Sequence, residues 1–205
     1  MLLIVGTRNK AKVELIKSIL NSLNFDVQGL PDQEFPEIKE NGKTALDNAR
    51  LKARTYARLI GRPVFSMDNA LYLEGLAEDK QPGTHVRHIN NRINRPSDQE
   101  IIDYYSKLIG KLGHKIKGYW EYGVCAATPD GKTQETAFMS PRIFVSKPSS
   151  LVIDGYPLES LQIDPGSGKY GSEMIQAEKI TFYQERIIIG QKLREFIFNL
   201  PSQFC

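Results

Sequence analysis

Two cysteines in 205 residues, Cys125 inside an apolar strand-like run and Cys205 at the end of the sequence, are too few for a disulfide framework. His85 and His88 have no Cys or His cluster beside them, so no structural zinc site is expected. No apolar run approaches the roughly 20 residues needed to span a bilayer. The first apolar run is only a few residues long and has no basic leader, so a cytoplasmic protein with no membrane partner is expected. The net charge of +3 is too small to argue for a duplex nucleic-acid partner. There is no internal repeat, no low-complexity linker and no Gly-rich phosphate loop. Gly166-Ser167-Gly168-Lys169 fails as one, because the first glycine would fall at Ile163 and Tyr170 follows the lysine.

What remains is a composition of 40% hydrophobic and 25% charged residues, ordinary for a globular chain, with length enough for a sizeable core. A single domain over residues 1–205 is expected. The chain opens on Leu2 to Val5, a run that suits a strand buried on both faces, and Gly6 allows a tight exit into Thr7-Arg8-Asn9-Lys10-Ala11-Lys12. Val13, Ile16, Leu20 and Leu23, with Leu15 and Ile19, then form one face of a helix. Strand, polar turn and helix meet where free N–H groups, the positive helix end and lysines converge, which suits a phosphate. The alternative is a turn whose Thr and Asn only cap the helix.

Phe25 to Val27 reads as a short strand, followed by a polar connection carrying Glu40 beside Gly42. Thr44 with Asp47 three residues on starts a helix, along which Ala45, Ala49, Ala53, Tyr56, Ala57 and Ile60 recur, and Asn48 and Lys52 share a face. Val64 to Met67 reads as a buried strand ending at Asp68, an acid placed where open α/β sheets bind ligands. Gly83 to Pro96 reads as a loop, Ser97 caps a helix, and Pro129-Asp130-Gly131-Lys132 joins two long strands, Tyr119 to Thr128 and Thr133 to Val145. Extended pieces around Leu151 to Ile153 and Leu161 to Ile163 and a last helix through Ile189, Leu193, Phe196, Ile197 and Leu200 complete the chain. The expected fold is α/β, an elongated mixed β-sheet with flanking helices in two lobes around a central cleft.

The Thr7/Asn9/Lys12 turn, Glu40 with Lys52, and Asp68 form one predicted site. Two carboxylates facing lysines and a helix start suit a hard divalent cation, Mg²⁺ first, held between protein and a polyphosphate. A carboxylate there can orient or deprotonate water while the lysines neutralise charge. On spacing alone, the stronger reading of Glu40 and Asp68 is as ordinary capping or surface acids.

TRNKAK is similar to the T-x-N-x-x-K opening of the inosine triphosphate pyrophosphatase (HAM1/RdgB) family, and PEIKENGKTALDNARLKAR resembles its next block, E-E-T-G-x-T-F-x-E-N-A-x-x-K-A. SMDNALYLEGL resembles its D-D-S-G-L segment, PGTHVRH its P-G-x-x-S-A-R-Y, and GVCAATPDGK its long central hairpin. The resemblance implies Mg²⁺-dependent hydrolysis of ITP, dITP and XTP to the monophosphate and pyrophosphate, by a homodimer. Carried over by position, it implies that Thr7, Asn9, Lys12 and Lys52 hold the triphosphate, Glu40 binds the metal, and Asp68 ligates metal and activates water. Met67 replaces the first aspartate of D-D-S-G, and Asn69-Ala70 replace the Ser-Gly after it. Asp164, in Gln162-Ile163-Asp164-Pro165, answers to G-Y-D-P-x-F without its aromatics, and Arg186, in Gln184-Glu185-Arg186, answers to S-H-R. Two alternatives follow from these departures: a pyrophosphatase for another or modified nucleotide, and a catalytically silent nucleotide-binding homologue.

Overall fold

A computed structural model describes residues 2–20, 25–31, 35–36, 38–89, 96–164, 167–174 and 184–204; the side chains of residues 11 and 184–189 lie outside the description. Among the described residues six strands form one sheet in the order β2-β1-β3-β4-β5-β6. They are β1 (Leu2–Val5), β2 (Asp26–Gln28), β3 (Val64–Leu73), β4 (Lys115–Ala127), β5 (Thr133–Val145) and β6 (Gln162–Ile163). The α-helices are α1 (Lys10–Leu20), α2 (Ala45–Ile60), α3 (Asp98–Lys111) and α4 (Gln184–Phe198). β1 runs parallel to both β2 and β3, and β5 pairs antiparallel with β6, so the sheet is mixed as expected.

The chain divides into two compact units. One comprises Met1–Asn69, Glu121–Phe138 and Ile189–Cys205, the other Ala70–Trp120 and Met139–Ile188. In the first unit the period-two alternation of the strands sorts side chains between two cores. Leu3 and Val5 of β1, Phe65 and Met67 of β3 and Val124 of β4 pack with Val13, Ile16 and Leu20 of α1 and Leu193 and Ile197 of α4. The intervening Ile4, Val64, Cys125 and Ala127 face Ala49, Ala53, Tyr56 and Ala57 of α2. The small residues on α2 let its backbone lie close to the sheet. A Cβ on Gly123 would sit 2.2 Å from the Leu46 amide nitrogen, so β4 admits only glycine there without displacing the helix. In the second unit, Ile101, Ile102, Tyr105 and Ile109 of α3 pack with Leu71, Leu73, Ile116, Phe144, Leu158 and Leu161.

Several expectations need correction. β3 does not stop at Asp68 but continues to Leu73, because Leu71 and Leu73 are core residues and Leu71 exchanges backbone hydrogen bonds with Gly83. Asp68 nonetheless lies beyond the end of neighbouring β1, whose last paired residues are Ile4 with Val64 and Val5 with Phe65. Leu151 to Ile153 form no strand; Leu151 and Val152 are exposed. Short strand β2 begins at Asp26 rather than Phe25, β4 begins four residues earlier than Tyr119, and Leu200 lies past the end of α4. Leu23 and Cys205 lie outside the described residues.

The aromatic run of β4 is divided by the pleat. Tyr119 stacks on Tyr72 and Tyr122 on Phe138, while the Trp120 Nε1–H donates to Gln162 Oε1 at 3.2 Å. Cys125 is fully buried, and burial, the largest cause, pushes its thiol pKa up to about 12, which fits its role as a small core residue.

Candidate active site

The first unit carries the lysine–carboxylate cluster. Helix α2 starts with a full capping box, in which the Thr44 hydroxyl accepts from the Asp47 N–H at 3.1 Å and the Asp47 carboxylate accepts from the Thr44 N–H at 3.1 Å. A strand residue adds to it, since Glu121 Oε1 accepts from the Ala45 N–H at 3.1 Å. Fixed in this way, α2 projects Asn48 and Lys52 from its buried face, two positions one turn apart. The alternation that turns Met67 towards α1 and α4 turns Asp68 towards α2.

Lys52 Nζ is the hub. It lies 3.0 Å from Asp68 Oδ1 and 2.9 Å from Glu40 Oε1, and Lys12 Nζ reaches the same Asp68 Oδ1 at 3.3 Å. The Asp68 and Lys52 side chains are each 7% exposed, Lys12 is 20% exposed and Glu40 is 45% exposed, so the cluster is buried at one end and open to solvent at Glu40. Burial alone would raise the Asp68 pKa, but Lys12, Lys52 and Asn48 outweigh it and hold the carboxyl below its ordinary 3.8. Burial is the largest influence on Lys12, and with the nearby Lys52 charge it overcomes the attraction of Asp68, so the ammonium sits below its ordinary 10.5. Asp68 is therefore ionised at neutral pH. One of its oxygens serves both lysines; the other, Oδ2, is buried with no hydrogen-bond partner among the described residues.

At the phosphate-suited turn, the Thr7 hydroxyl accepts from the Asn9 N–H at 3.1 Å, and Asn9 accepts from the Lys12 N–H through Oδ1 at 3.4 Å. Both residues thus shape the start of α1, as the capping alternative has it, while the same turn delivers Lys12 to Asp68. The backbone between Val5 and Thr7 is narrow: a Cβ on Gly6 would meet Ser66 Oγ at 2.4 Å.

The predicted base-recognition residues, Asp164 and Arg186, belong to the second unit. In the second unit, Asp164 Oδ2 accepts from the Ser167 N–H at 2.8 Å and from its hydroxyl at 2.7 Å. Arg186 falls in α4 and its side chain lies outside the described residues. Asn48 had no role assigned from sequence; the available signal was its position one helical turn before Lys52. Among the described residues no three His, Cys, Asp or Glu side chains gather as a ready metal site. The donor set still fits a magnesium-like ion, which keeps waters and is commonly held by one or two carboxylates plus substrate phosphates. Glu40 and Asp68 are the carboxylates of this cluster that could hold such an ion.

The chain is 28% identical over 210 residues to a dITP/XTP pyrophosphatase of Nitratidesulfovibrio vulgaris, a match covering 98% of this chain and 96% of that protein. It is 40% identical over 84 residues to a dITP/XTP pyrophosphatase of Geobacter sulfurreducens, and here the match spans only 41% of the relative's length and 40% of this chain. Among solved structures, a HAM1 protein from Coxiella burnetii superposes with a TM-score of 0.75 at 17% identity, covering 95% of this chain and 99% of that one, which establishes the fold. The Ham1 family model matches residues 3–139, a span that holds the turn, Glu40, α2 and Asp68, and the chain belongs to the Ham1 family.

Proposed function

We propose that this protein hydrolyses dITP, XTP and ITP to the nucleoside monophosphate and pyrophosphate. The observation that carries the reading is the buried Asp68 carboxylate, ionised, with one oxygen held by Lys12 and Lys52 and the other left unpartnered beside the phosphate-suited turn. The end-to-end match to a relative named for dITP and XTP supports the substrate class.

In this reading the α1 start, shaped by Thr7 and Asn9, receives the triphosphate, and Lys12 and Lys52 neutralise charge that builds on the phosphoryl oxygens. Asp68 Oδ2 accepts the proton of the water that adds across the bond between the α- and β-phosphoryl groups. Glu40 and Asp68 would hold Mg²⁺, which when bound supplies charge neutralisation and alignment of phosphate oxygens. Lys52 then keeps the two carboxylates from repelling each other. Asp164 and Arg186 are assigned to the base, the protein to the cytoplasm, and the active form to a homodimer.

A second reading, nucleotide binding without turnover, is favoured by one observation. Met67 is a buried core residue, so the site has no carboxylate from that position. Phosphate analysis with Mg²⁺ across dITP, XTP, ITP and the common nucleoside triphosphates separates the two. Pyrophosphate release selective for the deaminated purines supports the first. Release from a different base reassigns the substrate, and metal-dependent binding with no release supports the second.

A further inference from the structure

Asn48 is fully buried in a helix face whose other buried residues are alanines, Lys52 and Tyr56, where an apolar residue would pack without needing partners. Its amide oxygen is tied to the loop that carries Glu40. Oδ1 accepts from the Gly42 N–H at 2.8 Å, and Gly42 lies two residues after Glu40 on the same loop. The approach is close enough that a Cβ on Gly42 would come within 2.6 Å of that oxygen. Asn48 stands one helical turn before Lys52, whose Nζ lies 3.0 Å from Asp68 Oδ1 and 2.9 Å from Glu40 Oε1. Asn48 Nδ2 and Asp68 Oδ2 are both buried without hydrogen-bond partners among the described residues. A buried amide donor and a buried carboxylate oxygen left unpaired are each costly, and such groups are found where a ligand or water completes them.

Resting on the pyrophosphatase reading, we propose that Asn48 is a positioning residue that sets the separation of the two metal-holding carboxylates. Its oxygen ties down the Glu40 loop through Gly42, on the same helix face from which Lys52 holds the Asp68 carboxylate. Glu40 is half-exposed on a loop and Asp68 is fixed in a strand, so an uncorrected loop would leave the pair without a defined spacing. A divalent cation bridging protein and polyphosphate requires such a spacing, and residues that orient ligands from behind typically contribute 10–100-fold in metal affinity or activity.

The test is binding of the Mn²⁺–tripolyphosphate complex, followed by water-proton relaxation, to the full chain and to Asn48→Ala, Gly42→Ala and Asp68→Asn. This probe has no base, so it is independent of which nucleotide is the substrate. Thermal melts run alongside to confirm folding. Asn48→Ala is expected to bind the complex about 10–100-fold more weakly. Gly42→Ala, which leaves Asn48 in place but pushes the loop off its oxygen, is expected to weaken binding in the same way. A folded Asn48→Ala with affinity within about twofold of the parent overturns the inference, since a residue that only fills the core changes the melt and not the affinity. Should Asn48→Ala fail to fold, unchanged affinity in Gly42→Ala overturns it instead. Unchanged affinity in Asp68→Asn is a different result: it removes the cluster from metal and phosphate binding and defeats the functional reading itself.

Discussion

Replacing Gly123 with alanine should damage the protein out of proportion to one added methyl group. The new Cβ would lie 2.2 Å from the Leu46 amide nitrogen, 2.4 Å from the Ala45 carbonyl carbon and 2.4 Å from the Leu46 Cα, all of them backbone atoms that no rotamer change can move. Ordinary contact begins near 3.4 Å, so the start of α2 must retreat by roughly 1 Å. That retreat also stretches the bond from the Ala45 N–H to Glu121, which hangs from the same strand. Overpacking of this kind costs about 1–3 kcal/mol. Helix α2 moves as a rod, so Asn48 and Lys52 are carried with it, and a misplacement of about 1 Å at a reacting site can cost on the order of 100-fold in turnover. Chemical denaturation and pyrophosphate release measured on the same preparation test both parts. A variant within about 0.5 kcal/mol of the parent and with undiminished turnover would refute the claim that β4 seats the active helix.

Gly190 offers the contrasting case, because a Cβ there meets nothing within 4 Å among the described residues; Gly190→Ala in α4 should raise stability by up to about 1 kcal/mol in denaturant titration. Thr44→Ala removes the α2 cap and should cost about 0.5–2 kcal/mol in the same assay, with a smaller effect on turnover than Gly123→Ala. The bidentate Arg50–Glu135 pair, at 2.7 and 2.8 Å, holds the Glu135 carboxyl below its ordinary 4.5. A depressed acid stabilises the fold above its unfolded pKa and loses that contribution as pH falls through the lower, folded value. Glu135→Gln should therefore flatten the fall of Tm between about pH 5 and pH 3 relative to the parent; an unaltered acid limb would show that the pair contributes nothing.

The parts legible in the sequence are those whose partners are close along the chain. The Thr44 and Asp47 spacing gave the start of α2, and the alanine spacing gave the face it buries. The i, i+4 relation of Asn48 and Lys52 correctly put both on one side, and the turn after β1 placed Lys12 where it meets Asp68. What escaped were contacts set by the sheet. Whether β3 stopped at Asp68 depended on pairing with Gly83, which local residue types do not announce. The capping of α2 by Glu121 and the pairing of Arg50 with Glu135 join residues more than seventy positions apart, and each looks like an ordinary surface charge until the hairpin folds over the helix. Gly123 reads as a weak point in a strand, yet it is the contact that brings α2 close. Leu151 to Ile153 misled for the opposite reason: three apolar residues suggest a strand, but among the described residues no strand pairs with them and two remain exposed.

The central claim is that the Asp68 carboxylate, gripped by two lysines through one oxygen, receives the proton of the attacking water through the other. It is tested most directly by comparing pyrophosphate release from dITP and XTP by the parent and by Asp68→Asn, with Mg²⁺ and after its removal by chelation. Asparagine keeps the size of the side chain but accepts no proton, so turnover should fall by about 10²–10⁴-fold while the melt shows a folded protein, and chelation should silence the parent. Undiminished pyrophosphate release by a folded Asp68→Asn variant would contradict the account.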